Sequence, residues 1–496
     1  MASDCVAVRT AVVRGVEALC VTVEVSTSGG IPGIDVVGMP DPTVLESRTR
    51  VRCALRSSGF EMPRLHVTVN LAPGELRKTG TGFDLPIAVA VLLATRQLPA
   101  DFARGWLFVG ELALDGTVNP VRGDVAYAQL AEREGLGLVT SAASQLPGGW
   151  GSRARGISDL SQLVDGLETL PSLGRSPAEP PSEGAAALDY ADVVDQELAK
   201  RAMTIAAAGR HGLLMVGPPG AGKTMLARRL PSILPPLGEE EAAEAMLVHS
   251  VAGLDLAPLA QGIRPFRSPH HSISAGGLVG GGRPVLPGEV SLAHTGVLYL
   301  DEIPEFQHGA LQALRQPLED HVVRIARVDG AYAFPCDFQL VAAANPCPCG
   351  YLGDPDHECS CAPGRVAAYQ ARIGGPLMDR IDVVVDVARP ATRKVIEGQE
   401  GTGSAQMAED VARGRAFASW RRDRAGITGS EAVAEVGLAP DAQLSFERLA
   451  ESLALGGRAI VRVARVARTI ADLRESEAVG TDDVIEAVGF RSRFQS

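Results

Sequence analysis

The sequence predicts an α/β protein built around a phosphate-binding core, and three features of the 496-residue chain carry that prediction. The first is the apolar run Leu213–Val216, followed at once by Gly217, Pro218, Pro219, Gly220, Ala221, Gly222, Lys223 and Thr224. This is the G-x4-G-K-S/T spacing of a phosphate loop set between a buried strand and a helix. The second is Val297–Leu300, a buried-strand pattern that runs into Asp301 and Glu302. The third is the alternation of apolar and polar residues over 18–25 and 65–71, interleaved with helical patterns over 46–57 and 85–94. It predicts a mixed α/β domain ahead of the core.

The residue types of the loop follow from what they must hold. Glycines let successive backbone N–H groups turn toward phosphate oxygens, and the helix behind them points its positive end at the same anion. Lys223 is placed to reach the β- and γ-phosphates of ATP, and the Thr224 hydroxyl to ligate Mg2+. Asp301 can hold that Mg2+ through water, while Glu302 can polarise the attacking water. Many strands end in acids, so this second signal is weak alone. Behind a phosphate loop it is strong, and it also counts against a ligand-free glycine turn.

A chain of this length predicts two to four domains. Its 46% hydrophobic and 21% charged residues are ordinary for a globular protein, and no apolar run reaches membrane-spanning length. The first residues lack the basic and apolar regions of a signal peptide, so a cytoplasmic protein is expected. A net charge of −12 argues against coating nucleic acid with the whole surface, but not against a basic channel within an acidic assembly.

Residues 1–168 read as one α/β domain, with 110–116 a strand entering a turn. On residues 33–42, 70–84 and 110–123 this domain resembles the Lon-protease C-terminal fold found in the amino-terminal part of the YifB/ComM proteins. Lon-type proteolysis needs a serine activated by a lysine. No serine lies between Ser58 and Ser141, and Asp124 and Val125 stand where the resemblance would put the lysine. An inactive protease fold, serving as an interaction module, is the expectation.

Residues 169–187 form a linker rich in Pro, Ser, Gly and Ala, and 188–390 form the core. Helical residues 195–208 precede the loop strand. Between the loop and Asp301 comes Arg264, Pro265, Phe266, Arg267, Ser268, Pro269, His270, His271, then glycine-rich 276–282, Arg283, and 287–294 reading Pro-Gly-Glu-Val-Ser-Leu-Ala-His. Adjacent histidines rarely chelate together, and the glycines and prolines favour a mobile loop. The block resembles the insertion of the magnesium-chelatase-like AAA+ ATPases, in their YifB/ComM branch, and the resemblance covers nearly the whole chain.

That resemblance implies further roles. Asn345, after the strand Gln339–Ala344, corresponds to the sensor that positions the lytic water. Arg380, in the run Gly-Pro-Leu-Met-Asp-Arg, corresponds to an arginine finger reaching a neighbouring subunit, which implies a homo-oligomeric ring, a hexamer. Residues 391–496 correspond to the helical C-terminal lid, with Arg458 as its sensor arginine. The helical patterns over 405–424 and 481–488 fit that lid, the latter opening with a Thr-Asp-Asp cap. The insertion arginines Arg264, Arg267 and Arg283, together with Arg324 and Arg327 in a hairpin spanning 322–338, correspond to segments directed at the ring's pore, where DNA phosphates would pass. The function implied is ATP-driven DNA translocation or branch migration in recombination or natural transformation. A chelatase-type motor with partner subunits and a protein-remodelling ATPase are the other classes.

Cys347, Cys349, Cys359 and Cys361 follow Asn345 as C-x-C-x9-C-x-C. Four thiolates suffice for a tetrahedral Zn2+, although the spacing is tighter than C-x2-C and His357 could replace one of them. Reduced, metal-free thiols are the alternative.

Overall fold

The computed structural model describes residues 5–147, 153–173, 188–373, 375–397, 401–427 and 433–491. From residue 174 onward the expected linker lies outside them, as does part of the glycine-rich stretch at 398–404. Among the described residues no helix is long and apolar enough to cross a membrane.

In the N-terminal domain the strands predicted over 18–25 and 65–71 lie in a seven-stranded sheet, whereas the one predicted over 110–116 is the short Glu111–Leu112, paired apart from it with Val118–Asn119. The order of the large sheet is Gly33–Val37, His66–Ala72, Glu17–Ser28, Val6–Arg14, Trp106–Phe108, Gly137–Ser141 and Ala154–Ile157. The helix expected over 85–94 is Asp84–Ala94, buried from Asp84 to Leu93, as an all-apolar surface requires. The helix expected over 46–57 starts earlier, at Pro42: Asp41 accepts from the Val44 N–H at 2.9 Å and proline fits the first helical turn.

The core is a five-stranded parallel sheet in the order Phe266–Arg267, Val297–Leu300, Gln339–Ala344, Leu213–Val216, Val383–Asp386. Leu213–Val216 and Val297–Leu300 are continuous apolar runs, and Gln339–Ala344 is buried throughout, as parallel sheets demand. C-terminal helices Ser404–Ala425 and Gly457–Leu473 share one apolar core with this sheet through Met407, Val411, Val463 and Ile470. The last helix, Thr481–Gly489, is capped at Gly480 and not at Thr481: Asp483 accepts the Gly480 N–H at 2.8 Å.

A separate apolar cluster ties the N-terminal domain to the core. Val125, Tyr127 and Leu130 of helix Asp124–Arg133 meet Ala245, Met246 and Leu256, and the Gly123 N–H donates to Ser250 O at 2.9 Å. Asp124 is buried at this junction with Oδ1 lacking any partner. Burial pushes its carboxyl up to about 7, against the opposing hydrogen bonds from Ser144 and the Gln145 N–H. A carboxyl raised in the folded state binds its proton there more tightly than in the unfolded chain. Stability is therefore lost as pH rises from the unfolded value, near 4, through the folded one. Asp124→Asn should remove this penalty, so its gain over wild type grows by about 2–3 kcal/mol between pH 5 and pH 8. Thermal midpoints of both proteins at the two pH values check this; an equal gap at both would exclude it.

Candidate nucleotide site

Parallel α/β sheets bind ligands at the carboxyl ends of their strands, where the strand order reverses. Here that place is the end of Leu213–Val216, flanked by Gln339–Ala344 on one side and Val383–Asp386 on the other. The sequence fills it with the loop 217–224. A Cβ on Gly217 would lie 2.1 Å from Val387 O, so only glycine fits the crossing of the two chain segments. Gly220 and Gly222 hold φ of +79° and +90°, and nothing lies within 4 Å of where their Cβ atoms would be. The cradle is therefore left-handed backbone facing open space, as an anion-binding loop requires.

Around it four predicted side chains from three strand ends meet. Lys223, mostly buried at the start of helix Lys223–Arg229, donates to Gly217 O at 2.7 Å, Pro218 O at 3.0 Å and Asn345 Oδ1 at 3.1 Å. Burial lowers its pKa, while Asp301 and Glu302 oppose that shift. Thr224 Oγ1 donates to Asp301 Oδ2 at 2.7 Å, and the Tyr299 hydroxyl reaches Thr224 at 3.4 Å. Thr224 and Asp301 offer an all-oxygen donor pair suited to Mg2+. The segment before the loop also touches it: Gln196 donates to Ala221 O at 3.3 Å and Ala388 O at 2.6 Å.

Glu302 carries a positive φ of 51°, a conformation costing on the order of 1–3 kcal/mol for a non-glycine residue. Its N–H is held by Asp301 Oδ1 at 3.0 Å, and its half-exposed carboxylate lies 3.5 Å from His271 Nδ1. The His271 ring lies 4.1 Å from that of His270, tilted by 35°, and packs edge-on against Phe306. The histidine pair, read from sequence as part of a mobile loop, thus brings one ring to the acid expected to polarise water. No local pattern signals this contact, which spans 31 residues.

Arg380 and Arg458 lie elsewhere. The Arg380 carbonyl is 2.3 Å from where a Gly212 Cβ would be, at the amino end of the loop strand. With about 3.3 Å per strand residue, the phosphate loop is on the order of 15 Å away, beyond the reach of one arginine side chain. The Arg380 guanidinium pairs with Glu319 at 2.6 Å and lowers that carboxyl's pKa. Arg458, at the start of helix Gly457–Leu473, binds Asp379, the residue beside Arg380. That contact sets the expected sensor arginine at the same end of the sheet as Arg380.

The arginines expected to meet DNA divide into two sets. Arg264 is partly buried, bidentate on Glu241 at 2.7 and 3.1 Å, and donates to Thr295 O at 2.6 Å and Pro235 O at 2.6 Å. Arg267 is bidentate on Glu289 at 2.6 and 2.8 Å. Both are committed within the chain, which corrects their reading as phosphate contacts: releasing them would strand partly buried carboxylates. Arg283, Arg324 and Arg327 are exposed. The predicted hairpin is formed by Val322–Arg327 and Gly330–Pro335, and Gly280–Gly281 with Leu286–Pro287 makes a smaller one beside it. Arg283 sits in the turn of the small hairpin and Arg327 at the tip of the large one, where Val328 is fully exposed. Arg14 of the N-terminal domain donates to Asp329 O at 2.8 Å and lies over the Tyr332 ring, holding the large hairpin from behind.

The four clustered cysteines come together: their Sγ atoms all lie within 4.8 Å of one another, and Cys347 is buried. Hydrogen bonding, led by the Tyr351 N–H, brings the Cys349 thiol down to about 6. His357 instead stacks on Tyr351 and faces Arg389.

Comparison with known proteins places the chain in a family. Family models match at residues 189–395 (magnesium chelatase, subunit ChlI), 23–143 (subunit ChlI of Mg-chelatase) and 401–491 (the ChlI C-terminal region). The uncharacterized protein YifB of Salmonella typhimurium is 40% identical over 490 residues, covering 98% of this chain and 96% of its own. The competence protein ComM of Haemophilus influenzae is 40% identical over 491 residues, covering 96% of each chain. The magnesium-chelatase 67 kDa subunit of Heliobacterium mobile is more distant, 27% identical over 188 residues, 32% of this chain and 28% of its own. With near-complete coverage at this identity, the chain belongs to the YifB/ComM family of magnesium-chelatase-like AAA+ proteins.

Proposed function

We propose that this chain binds and hydrolyses ATP with Mg2+ as a hexameric ring and uses the energy to translocate branched DNA. The observation that carries the hydrolytic part is the convergence of Lys223 on Asn345 and of Thr224 on Asp301 around an open left-handed cradle. Bound Mg2+ supplies charge neutralisation on the phosphates and is held by Thr224 and Asp301. Lys223, already stripped of solvent, exchanges loop carbonyls for phosphate oxygens. Glu302 takes the proton of the attacking water, and Asn345 orients that water and reports the γ-phosphate to the hairpin one strand away.

The ring is supported by distance. Arg380 and Arg458 lie at the sheet end opposite their own phosphate loop, so they can serve only the loop of a neighbouring subunit. DNA as substrate is supported by the name of the competence relative and by the two arginine-tipped hairpins that lie side by side. The N-terminal domain is a scaffold without proteolytic activity. Lys78 is the one lysine in residues 1–168, and its buried ammonium donates to the Pro73 carbonyl.

A chelatase-type motor acting with partner subunits is the second reading, favoured by the similarity to magnesium-chelatase 67 kDa subunits. ATP turnover with single-stranded, forked and four-way DNA, and with unfolded polypeptide, separates the two. The expected result is stimulation by forked and four-way DNA and none by polypeptide; turnover indifferent to every DNA would refute the DNA assignment.

A further inference from the structure

The cysteine cluster does more than collect thiols, because the loop that bears it is built against the phosphate loop. Between Pro346 and Ala362 no helix or strand forms, so this stretch has no backbone ladder of its own. Its interior is sulfur. Cys347 Sγ lies 3.3 Å from Cys349 Sγ and 3.7 Å from Cys359 Sγ, and the latter two are 3.6 Å apart. Four sulfurs at about 2.3 Å from a tetrahedral Zn2+ are about 3.8 Å from one another, so the cluster has the size of that site. With no apolar core and no ladder, a metal is what such a loop lacks to be rigid.

The outer face of the same loop rests on Pro219. Gly350 has a φ of +88°, and a Cβ there would lie 2.6 Å from Pro219 Cδ and 2.8 Å from Cγ. Arg389 makes a second attachment. Its Nε donates to Pro219 O at 3.4 Å, its other end meets His357 at 2.9 Å and Asp354 at 3.6 Å, and its guanidinium lies over the Tyr351 ring. The third attachment is covalent: Cys347 is two residues from Asn345, which accepts from Lys223. The loop therefore bears on the phosphate cradle from both of its sides.

We infer that Cys347, Cys349, Cys359 and Cys361 hold one Zn2+ and that the metal-bound loop is a strut that fixes the phosphate loop in its binding shape. This rests on the nucleotide-site reading above. Gly350, Arg389 and Asp354 are positioning residues, acting on nucleotide through Pro219 and not by contact.

The test uses the full chain purified without chelators. Elemental analysis should find one zinc per chain and no iron. Removing the metal with a chelator, then dialysing, should raise the Kd for a fluorescent ATP analogue with Mg2+ by about tenfold or more, the range seen when supports of a bound group are lost. Added Zn2+ should restore it and further Mg2+ should not. Gly350→Ala should keep its zinc yet weaken the analogue to a similar degree, since its methyl group collides with Pro219. That variant separates the strut from any general unfolding caused by losing metal, as does an unchanged circular dichroism spectrum. Zinc well below one per chain overturns the metal site. Full zinc, with Kd unmoved by its removal and by Gly350→Ala, overturns the strut. A wild-type chain that binds no nucleotide would instead refute the nucleotide site itself.

Discussion

Glu302→Gln is expected to bind ATP as tightly as the wild-type chain and to hydrolyse it slower by about 100-fold or more. The glutamine keeps the volume and one acceptor oxygen, so the strained backbone at φ 51° and the His271 contact can persist in neutral form. It cannot take a proton from water. Binding is left to Lys223, Thr224 and the backbone of the loop, none of which touches the Glu302 carboxylate directly. Lys223→Ala should do the reverse and abolish affinity, because it removes the buried ammonium that the loop carbonyls hold and frees Asn345 from its partner. Nucleotide affinity and single-turnover hydrolysis, measured on both variants, check the division of labour. Wild-type turnover by Glu302→Gln would move the lytic role to another residue, with Asp301 the first to ask.

The second large effect concerns the subunit boundary. Arg380→Ala should bind ATP nearly normally and lose turnover by about three orders of magnitude, the range of an arginine finger supplied to a developing phosphate charge. The Arg380–Glu319 pair is half-exposed on both sides, so breaking it should cost little stability. Mixed with Lys223→Ala, the inactive variant should regain activity. In an equal random mixture about a quarter of the interfaces combine an intact loop from one subunit with an intact arginine from the next. Turnover across mixing ratios should peak between the two pure variants. A flat line near zero at every ratio would place both residues in the same subunit's site.

How much of this could be read without the structure depends on how far apart the partners are. The phosphate loop, the strands Leu213–Val216, Val297–Leu300 and Gln339–Ala344, and the helix Asp84–Ala94 were legible because their signals are local. Spacing of glycines, continuous apolar runs and flanking acids are properties of a few adjacent residues. The hairpin at Val322–Arg327 and Gly330–Pro335 was legible for the same reason. The fates of the arginines were not. Arg264 finds Glu241 across 23 residues and Arg458 finds Asp379 across 79, and nothing in either local pattern separates a committed guanidinium from a free one. A charge at a chain position says how much electrostatic energy is available, whereas the fold decides which carboxylate collects it. Gly350 is similar. A glycine in a cysteine-rich loop suggests a turn, but its close approach to Pro219 depends on two loops 131 residues apart being stacked.

If a nucleotide-driven ring moves DNA along the arginine-tipped hairpins, the rate of branch migration on a synthetic four-way junction is the quantity that must depend on them. Arg324 and Arg327 are exposed on the larger hairpin, with Arg324 only loosely paired to Asp320 at 3.7 Å, so both are available to phosphates. Phosphate contacts release counterions, and losing two of them should flatten the slope of log affinity against log salt by about two. The wild-type chain should migrate the junction only with ATP and Mg2+, and Arg324→Ala/Arg327→Ala should assemble to the same size by sedimentation but migrate it at least about tenfold more slowly. A double variant that migrates the junction at the wild-type rate, or a wild-type chain that hydrolyses ATP and leaves the junction unmoved, would contradict DNA movement along the hairpins.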